Sequence, residues 1–223
     1  MFRNREDAAL QLARRLKSRK LRDPIVLGIP RGGVVIAAVL ARELDAELDV
    51  VLSRKLRAPY RPELAIGAIG EGGEPHLNPF AQEIPGVTEQ YVREESEHQR
   101  AEIARRRKLF RAVKAPADVK GRSVIVTDDG IATGSTMLAA LHVLNAQGPH
   151  EVILAVPVAP PDALDRFRPQ CEHIECLLAP AHFEAVGNFY VDFTQVEDAE
   201  VVRLLRERHA ARSMRVPFGD PVT

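Results

Sequence analysis

The chain has 223 residues, and its 31 lysine and arginine side chains are balanced by 31 aspartate and glutamate side chains, so no net field draws it to nucleic acid or to an anionic membrane. Its length suits one sizeable domain with room for an added lobe; no apolar span of about 18 residues is present, and the amino terminus (MFRNREDAAL) lacks the apolar core of a secretory signal. Two cysteines, Cys171 and Cys176, are too few for a disulfide framework and read as reduced thiols of a cytoplasmic protein.

Residues 5–18 are predicted to be helical, with Asn4 as N-cap. PIVLGIP (24–30) is a short apolar strand, and VVIAAVLARELD (34–45) is a helix behind a glycine pair. LDVVLS (48–53) is a second strand, RSVIVTD (122–128) a third, EVILAVPVA (151–159) a fourth and HIECLL (173–178) a fifth. STMLAALHVLNAQG (135–148) is a helix closed by Gly148. Continuous apolar strands alternating with helices predict an α/β fold: a Rossmann-like parallel sheet of about five strands, covered on both faces. The whole chain, 1–223, reads as a single domain.

Residues 54–118 interrupt this rhythm as an insertion. Pro59, Pro62 and the pair Gly72-Gly73, set between short apolar stretches, predict a loop leading into a hairpin. A charged helix follows, from Thr88 to Lys114, whose apolar residues Tyr91, Val92, Ile103, Leu109, Phe110 and Val113 leave its middle turns bare. Such a helix packs at its ends or against a partner subunit, which leaves a homodimer open. Its basic run Arg105-Arg106-Arg107-Lys108 could touch phosphate, but it stands among glutamates, which makes a solvated face the better reading. The tail beyond Arg212, with two prolines, is expected to be disordered or to lie over a neighbour.

The stretch VIVTDDGIATGST (124–136) carries the chemistry. A buried strand ends in two adjacent carboxylates, Asp128 and Asp129, which repel one another and serve no purpose in a simple turn. Behind them Ala132, Thr133, Gly134, Ser135 and Thr136 open a helix, where free backbone N–H groups, hydroxyls and small side chains suit a phosphate. The carboxylates would repel that phosphate but can accept hydrogen bonds from a sugar diol or face a cation. A ribose 5-phosphate satisfies both halves. No Walker A lysine and no G-x-G-x-x-G fingerprint is present, here or in GIPRGG (28–33).

These residues resemble the phosphoribosyl pyrophosphate (PRPP) signature of type I phosphoribosyltransferases. GIPRGGVVIAAVLARELDAELDVVLSRKL is similar to the first βαβ unit of the xanthine-guanine enzymes. The resemblance implies a pyrophosphate cradle in the backbone of Arg31, Gly32 and Gly33, often with an unusual cis peptide, and a cation at Lys55 or Arg54. It also implies a magnesium ion. FEAVGNFYVDF (183–193) resembles the base-binding hood of hypoxanthine-guanine enzymes, within a hood segment 179–196, which would set Phe183 or Phe189 near the base and Asp192 near the metal. One extra residue between Gly187 and Asp192 leaves that register open. Ala132 stands where 6-oxopurine enzymes carry a proton-handling aspartate, so that task passes elsewhere or is unnecessary; the segment Tyr60 to Glu74 is the candidate, with Glu71, just before two glycines, as its carboxylate.

The expectation is a magnesium-dependent enzyme moving the phosphoribosyl group of PRPP to a nitrogenous base, purine favoured, with release of pyrophosphate. Asp128 and Asp129 are its expected catalytic carboxylates, with Glu71. The alternative is a non-catalytic PRPP or nucleotide sensor of the same fold, and transfer to another kind of acceptor also stays open. Neither membrane nor nucleic acid is an expected partner.

Overall fold

Asn4 caps the first helix as predicted: its side-chain oxygen accepts from the Asp7 N–H at 3.0 Å, opening α1 (Arg5–Leu16). The computed structural model describes residues 1–213, so the proline-containing tail lies, from residue 214 onward, outside the described residues. After α1 come β1 (Ile25–Gly28), α2 (Gly32–Glu43) and β2 (Glu47–Val50). The insertion supplies β3 (Ser53–Ala58), β4 (Arg61–Gly70), β5 (Pro75–Leu77) and α3 (Glu89–Arg111). The chain then returns through β6 (Ser123–Thr127), α4 (Ser135–Asn145), β7 (Glu151–Val158), α5 (Pro161–Phe167), β8 (His173–Leu178) and α6 (Asp198–Ser213).

The five predicted strands form one parallel sheet in the order β2-β1-β6-β7-β8. Period-two alternation sorts each strand between two cores. Val26, Ile125 and Ile153 face a core shared with Leu12, Ile36, Leu40 and Leu205, from α1, α2 and α6. Ile25, Leu27, Val124, Val126, Val152 and Leu154 face Met137, Leu141 and Phe167, from α4 and α5. Burial on both faces is why the middles of β1, β6 and β7 are apolar, while the edge strands β2 and β8 carry Glu47, Asp49, His173 and Glu175.

The insertion is a second, smaller sheet, β3-β4-β5, wholly antiparallel. The strand expected over 48–53 is divided: β2 ends at Val50, and Ser53 already begins β3. Helix α3 lies on this small sheet rather than resting on its ends alone. Ile103 and Phe110 are buried, the Tyr91 hydroxyl donates to the Arg57 carbonyl at 2.8 Å, and Ser96 and Gln99 in the middle turns are each only 1% exposed. That central stripe is polar, so hydrophobic patterning passes over it.

The apolar pattern predicts neither α5 nor α6. Helix α5 has seven residues and starts on Pro161, while α6 buries only Val201 and Leu205 fully. Among the described residues no helix is long and apolar enough to cross a membrane.

Candidate functional site

Strand β1 is flanked by β2 on one side and β6 on the other, so the chain's winding reverses between β1 and β6. Ligands of open parallel sheets bind where such strands end. Gly28 pairs with Thr127 in register, and the Ile29 N–H donates to the Thr127 carbonyl at 3.0 Å. The loops 29–33 and 128–134 therefore leave the sheet side by side.

Their contact explains the glycines. A side chain at Gly32 would place its Cβ 1.8 Å from Asp129 Oδ2, and one at Gly33 would lie 2.8 Å from the Asp128 Cα. The Pro30–Arg31 peptide is cis, as the resemblance implies. Helix α2 starts on this loop, with Gly32 against Asp129, and α4 starts at the end of the other.

The two carboxylates differ. Asp128 is partly buried and accepts the Asp129 N–H at 2.8 Å on Oδ1; burial and the Asp129 charge beside it push its carboxyl well above the usual range. Asp129 is claimed by Arg5 of α1, which sets both Nε and Nη2 at 2.8 Å from Oδ2. The Arg5 guanidinium also lies 3.9 Å from the Phe193 ring centre and donates to the Thr194 carbonyl at 2.8 Å. Neither composition nor spacing marks Arg5, because its role depends on strands more than a hundred residues away.

In the following loop Ala132, Thr133 and Thr136 are exposed, Ser135 is partly exposed, and the Thr133 and Ser135 hydroxyls are 3.4 Å apart. Gly134 has φ +76°, and its missing side chain faces Phe167 rather than the open side: a Cβ there would come 2.6 Å from Phe167 Cζ. Arg166 of α5 donates to the Thr133 carbonyl at 2.7 Å.

A cavity of about 260 Å³ joins this loop to the insertion: Pro30, Arg54, Lys55, Ser135 and Thr136 all line it. Both alternatives for the pyrophosphate cation thus reach one space. Arg106 of α3 lines it too, so the basic run is not uniformly a solvated face. The Arg31 side chain pairs with Glu197 at 3.2 Å, while its backbone forms part of the loop.

The hood segment bears on the acidic pair. The Tyr190 hydroxyl donates to the Asp129 carbonyl at 2.5 Å, and a Cβ at Gly130 would lie 2.4 Å from Val186 Cγ1. Burial raises the Tyr190 phenol, which stays protonated as a donor. Phe183 and Phe189, both partly exposed, stack on one another with centres 5.4 Å apart. Asp192 is exposed and accepts from the Thr194 N–H and hydroxyl at 3.1 and 2.6 Å on one oxygen.

Glu71 is not a free carboxylate on a hinge. Arg111 binds both its oxygens, Nε to Oε2 at 2.8 Å and Nη2 to Oε1 at 2.5 Å, and also meets Asp49 Oδ1 at 2.7 Å. These three line a separate cavity of about 380 Å³, away from the residues of the phosphate loop. The glycines following Glu71 make its turn, while the ion pair fixes its side chain. Cys171 and Cys176 are unbridged thiols, pushed up to about 12 and about 11 chiefly by burial, and take no part.

Known proteins resemble this chain in sequence and in fold. A crystal structure of a Thermus thermophilus protein superposes with a TM-score of 0.89 at 45% identity, covering 92% of this chain and 98% of that one. A Mycobacterium tuberculosis protein named as a candidate phosphoribosyl transferase, in strains CDC 1551 and H37Rv alike, is 42% identical over 209 residues, 94% of this chain. The chain spans about half of that relative's length, 47%. The family model for the phosphoribosyl transferase domain matches residues 4–194, so the chain belongs to the phosphoribosyl transferase domain family.

Proposed function

We propose that the chain binds PRPP and transfers its phosphoribosyl group to a nitrogenous base, purine favoured, releasing pyrophosphate. The observation that carries this reading is the meeting of loops 29–33 and 128–136 at the β1/β6 switch point, beside a cavity lined by cations.

In this reading the 5′-phosphate sits on the backbone N–H groups opening α4 and the hydroxyls of Thr133, Ser135 and Thr136. The ribose 2′ and 3′ hydroxyls face Asp128 and Asp129. The pyrophosphate lies against the backbone of Arg31, Gly32 and Gly33, toward Arg54 and Lys55, where preorganised donors stabilise the departing charge. The C1–oxygen bond to pyrophosphate breaks, the acceptor nitrogen bonds C1 from the opposite face, and that nitrogen gives up its proton. The carboxylates favour the positive charge that develops on the ring, and much of the rate comes from orientation and exclusion of water. Phe183 and Phe189 offer aromatic faces to the base. Glu71 could carry the proton only after releasing Arg111.

The hard carboxylate oxygens of the site, with Asp192 as the residue that the resemblance sets near the metal, suit magnesium. Asp128 and Asp129 are the carboxylates that would help hold it, and it would supply neutralisation of the leaving-group charge.

The decisive experiment is a PRPP-dependent pyrophosphate-release screen across free bases, run with magnesium. Release with one class of base supports the reading. Tight PRPP binding with no release for any base would favour the sensor alternative, and no binding at all would refute both.

A further inference from the structure

Helix α3 carries four consecutive cations, and their surroundings diverge. Arg105 is exposed and pairs with Asp198 at 2.9 Å; Arg107 lines the cavity of Glu71 and Arg111; Lys108 is exposed. Arg106 alone is partly buried, in the 260 Å³ cavity beside Ser135 and Thr136. It has no hydrogen-bond or ion-pair partner among the described residues.

A guanidinium stays charged at any working pH, so a partly enclosed one without a partner sits at a cost. Burial lowers its pKa; Asp198 opposes that, while Arg105, Arg54 and Arg31 close by lower it further. Two further observations at the same wall indicate the missing counterpart. The cavity wall brings Arg54 and Arg106 together, and its one carboxylate, Glu102, is taken by Arg54 at 3.2 Å. Ser53 Oγ, also of a lining residue, is buried without a hydrogen-bond partner. An anion with several oxygens would answer both the unpaired guanidinium and the unpaired hydroxyl. The cavity's volume falls below the about 300–1,000 Å³ of pockets that hold whole drug-sized ligands. Its basic lining suits an anionic leaving group better than a neutral base.

We infer that Arg106 is a diphosphate-binding residue, reaching from helix α3 across the cavity to grip the pyrophosphate end of PRPP, with Ser53 as a second donor. This rests on the phosphoribosyl reading above and gives the insertion a part in it. The planar fork of arginine matches two phosphate oxygens at once, which a lysine ammonium does only as a point charge. Ser135 and Thr136 on the same cavity hold the ribose phosphate in that reading, and the nearness of Arg106 to Arg54 assigns it to the leaving group instead.

The test is calorimetric titration of the full chain, in magnesium, with inorganic diphosphate, PRPP and ribose 5-phosphate. Wild type is compared with Arg106→Gln, Arg106→Lys and the exposed control Arg105→Gln, with each variant's melting temperature recorded. Arg106→Gln should weaken diphosphate and PRPP about tenfold to hundredfold and leave ribose 5-phosphate within about twofold. Arg106→Lys should recover part of the loss, and Arg105→Gln should match wild type. Unchanged diphosphate and PRPP affinity in Arg106→Gln overturns the inference. An equal loss for ribose 5-phosphate overturns it as well, since that would be a general structural effect. If wild type bound diphosphate through Arg106 but ignored PRPP, the phosphoribosyl reading would fall while the anion grip stood; binding of none of the three would overturn both.

Discussion

Arg5 and Asp129 are 124 residues apart in sequence and 2.8 Å apart in space, and this pair makes the two adjacent carboxylates unequal. Asp129 has a guanidinium fixed against it, with both partners largely enclosed. Asp128 has no cation so close, and burial with the Asp129 charge beside it raises its pKa.

Replacement of the two acids should therefore act in opposite directions on stability. Asp129→Asn leaves Arg5 without its countercharge and should cost about 2 kcal/mol or more, lowering the melting temperature by roughly 4–8 °C at this chain length. Asp128→Asn removes like-charge repulsion and should hold or raise it. A double-mutant cycle of Arg5→Gln with Asp129→Asn should return a coupling of about 1–3 kcal/mol. No coupling would mean the pair contributes nothing.

The pH dependence of Asp128 follows from the same asymmetry. A carboxyl whose pKa is higher in the folded state binds its proton more tightly there. Its contribution to stability is full below the unfolded value of about 3.9 and is lost as pH rises through the raised folded value. Wild type should thus be less stable than Asp128→Asn at neutral pH, and the gap should close as pH falls toward about 4. Melting curves of the two proteins across that range check it.

Gly134 should be intolerant of even one methyl group. Its φ of +76° disfavours any L side chain, and the added Cβ meets Phe167 at 2.6 Å. Gly134→Ala should lose about 1–3 kcal/mol and weaken ribose 5-phosphate binding by moving the loop. Pairing it with Phe167→Leu should relieve the clash but not the backbone cost, so recovery in melting temperature should be partial. Full recovery would show that backbone conformation plays no part.

Glu71→Gln separates two roles for that residue. Loss of a charge that Arg111 binds should cost about 1–3 kcal/mol, because Arg111 is 11% exposed and Asp49 beside it only 2%. Turnover per folded molecule should stay within about twofold if the carboxylate only holds the insertion. A far larger loss at unchanged melting temperature would return Glu71 to the chemistry.

The central sheet is legible in the sequence because its strands are buried on both faces, which leaves runs such as Val124–Val126 apolar without interruption. The acidic pair and the loop behind it are legible because adjacent like charges and a cluster of small residues serve no structural end. Other features depend on distant neighbours. Nothing local tells Arg106 from Arg105, and Arg5 looks like any first-turn arginine of an amphipathic helix. The middle of α3 is buried through Ser96 and Gln99, which patterning scores as solvent-facing. Glu71 reads as mobile in sequence because its partner, Arg111, lies 40 residues on.

The bond from Arg5 to the Thr194 carbonyl spans 189 residues, and with Asp129 it gathers three remote parts of the chain at one point. Contacts so distant in sequence are costly to close early, so they form late in folding. Competence to bind ribose should appear on refolding only after the sheet has assembled, with a lag behind secondary structure. The ligand would then act as a clock for the last step of folding.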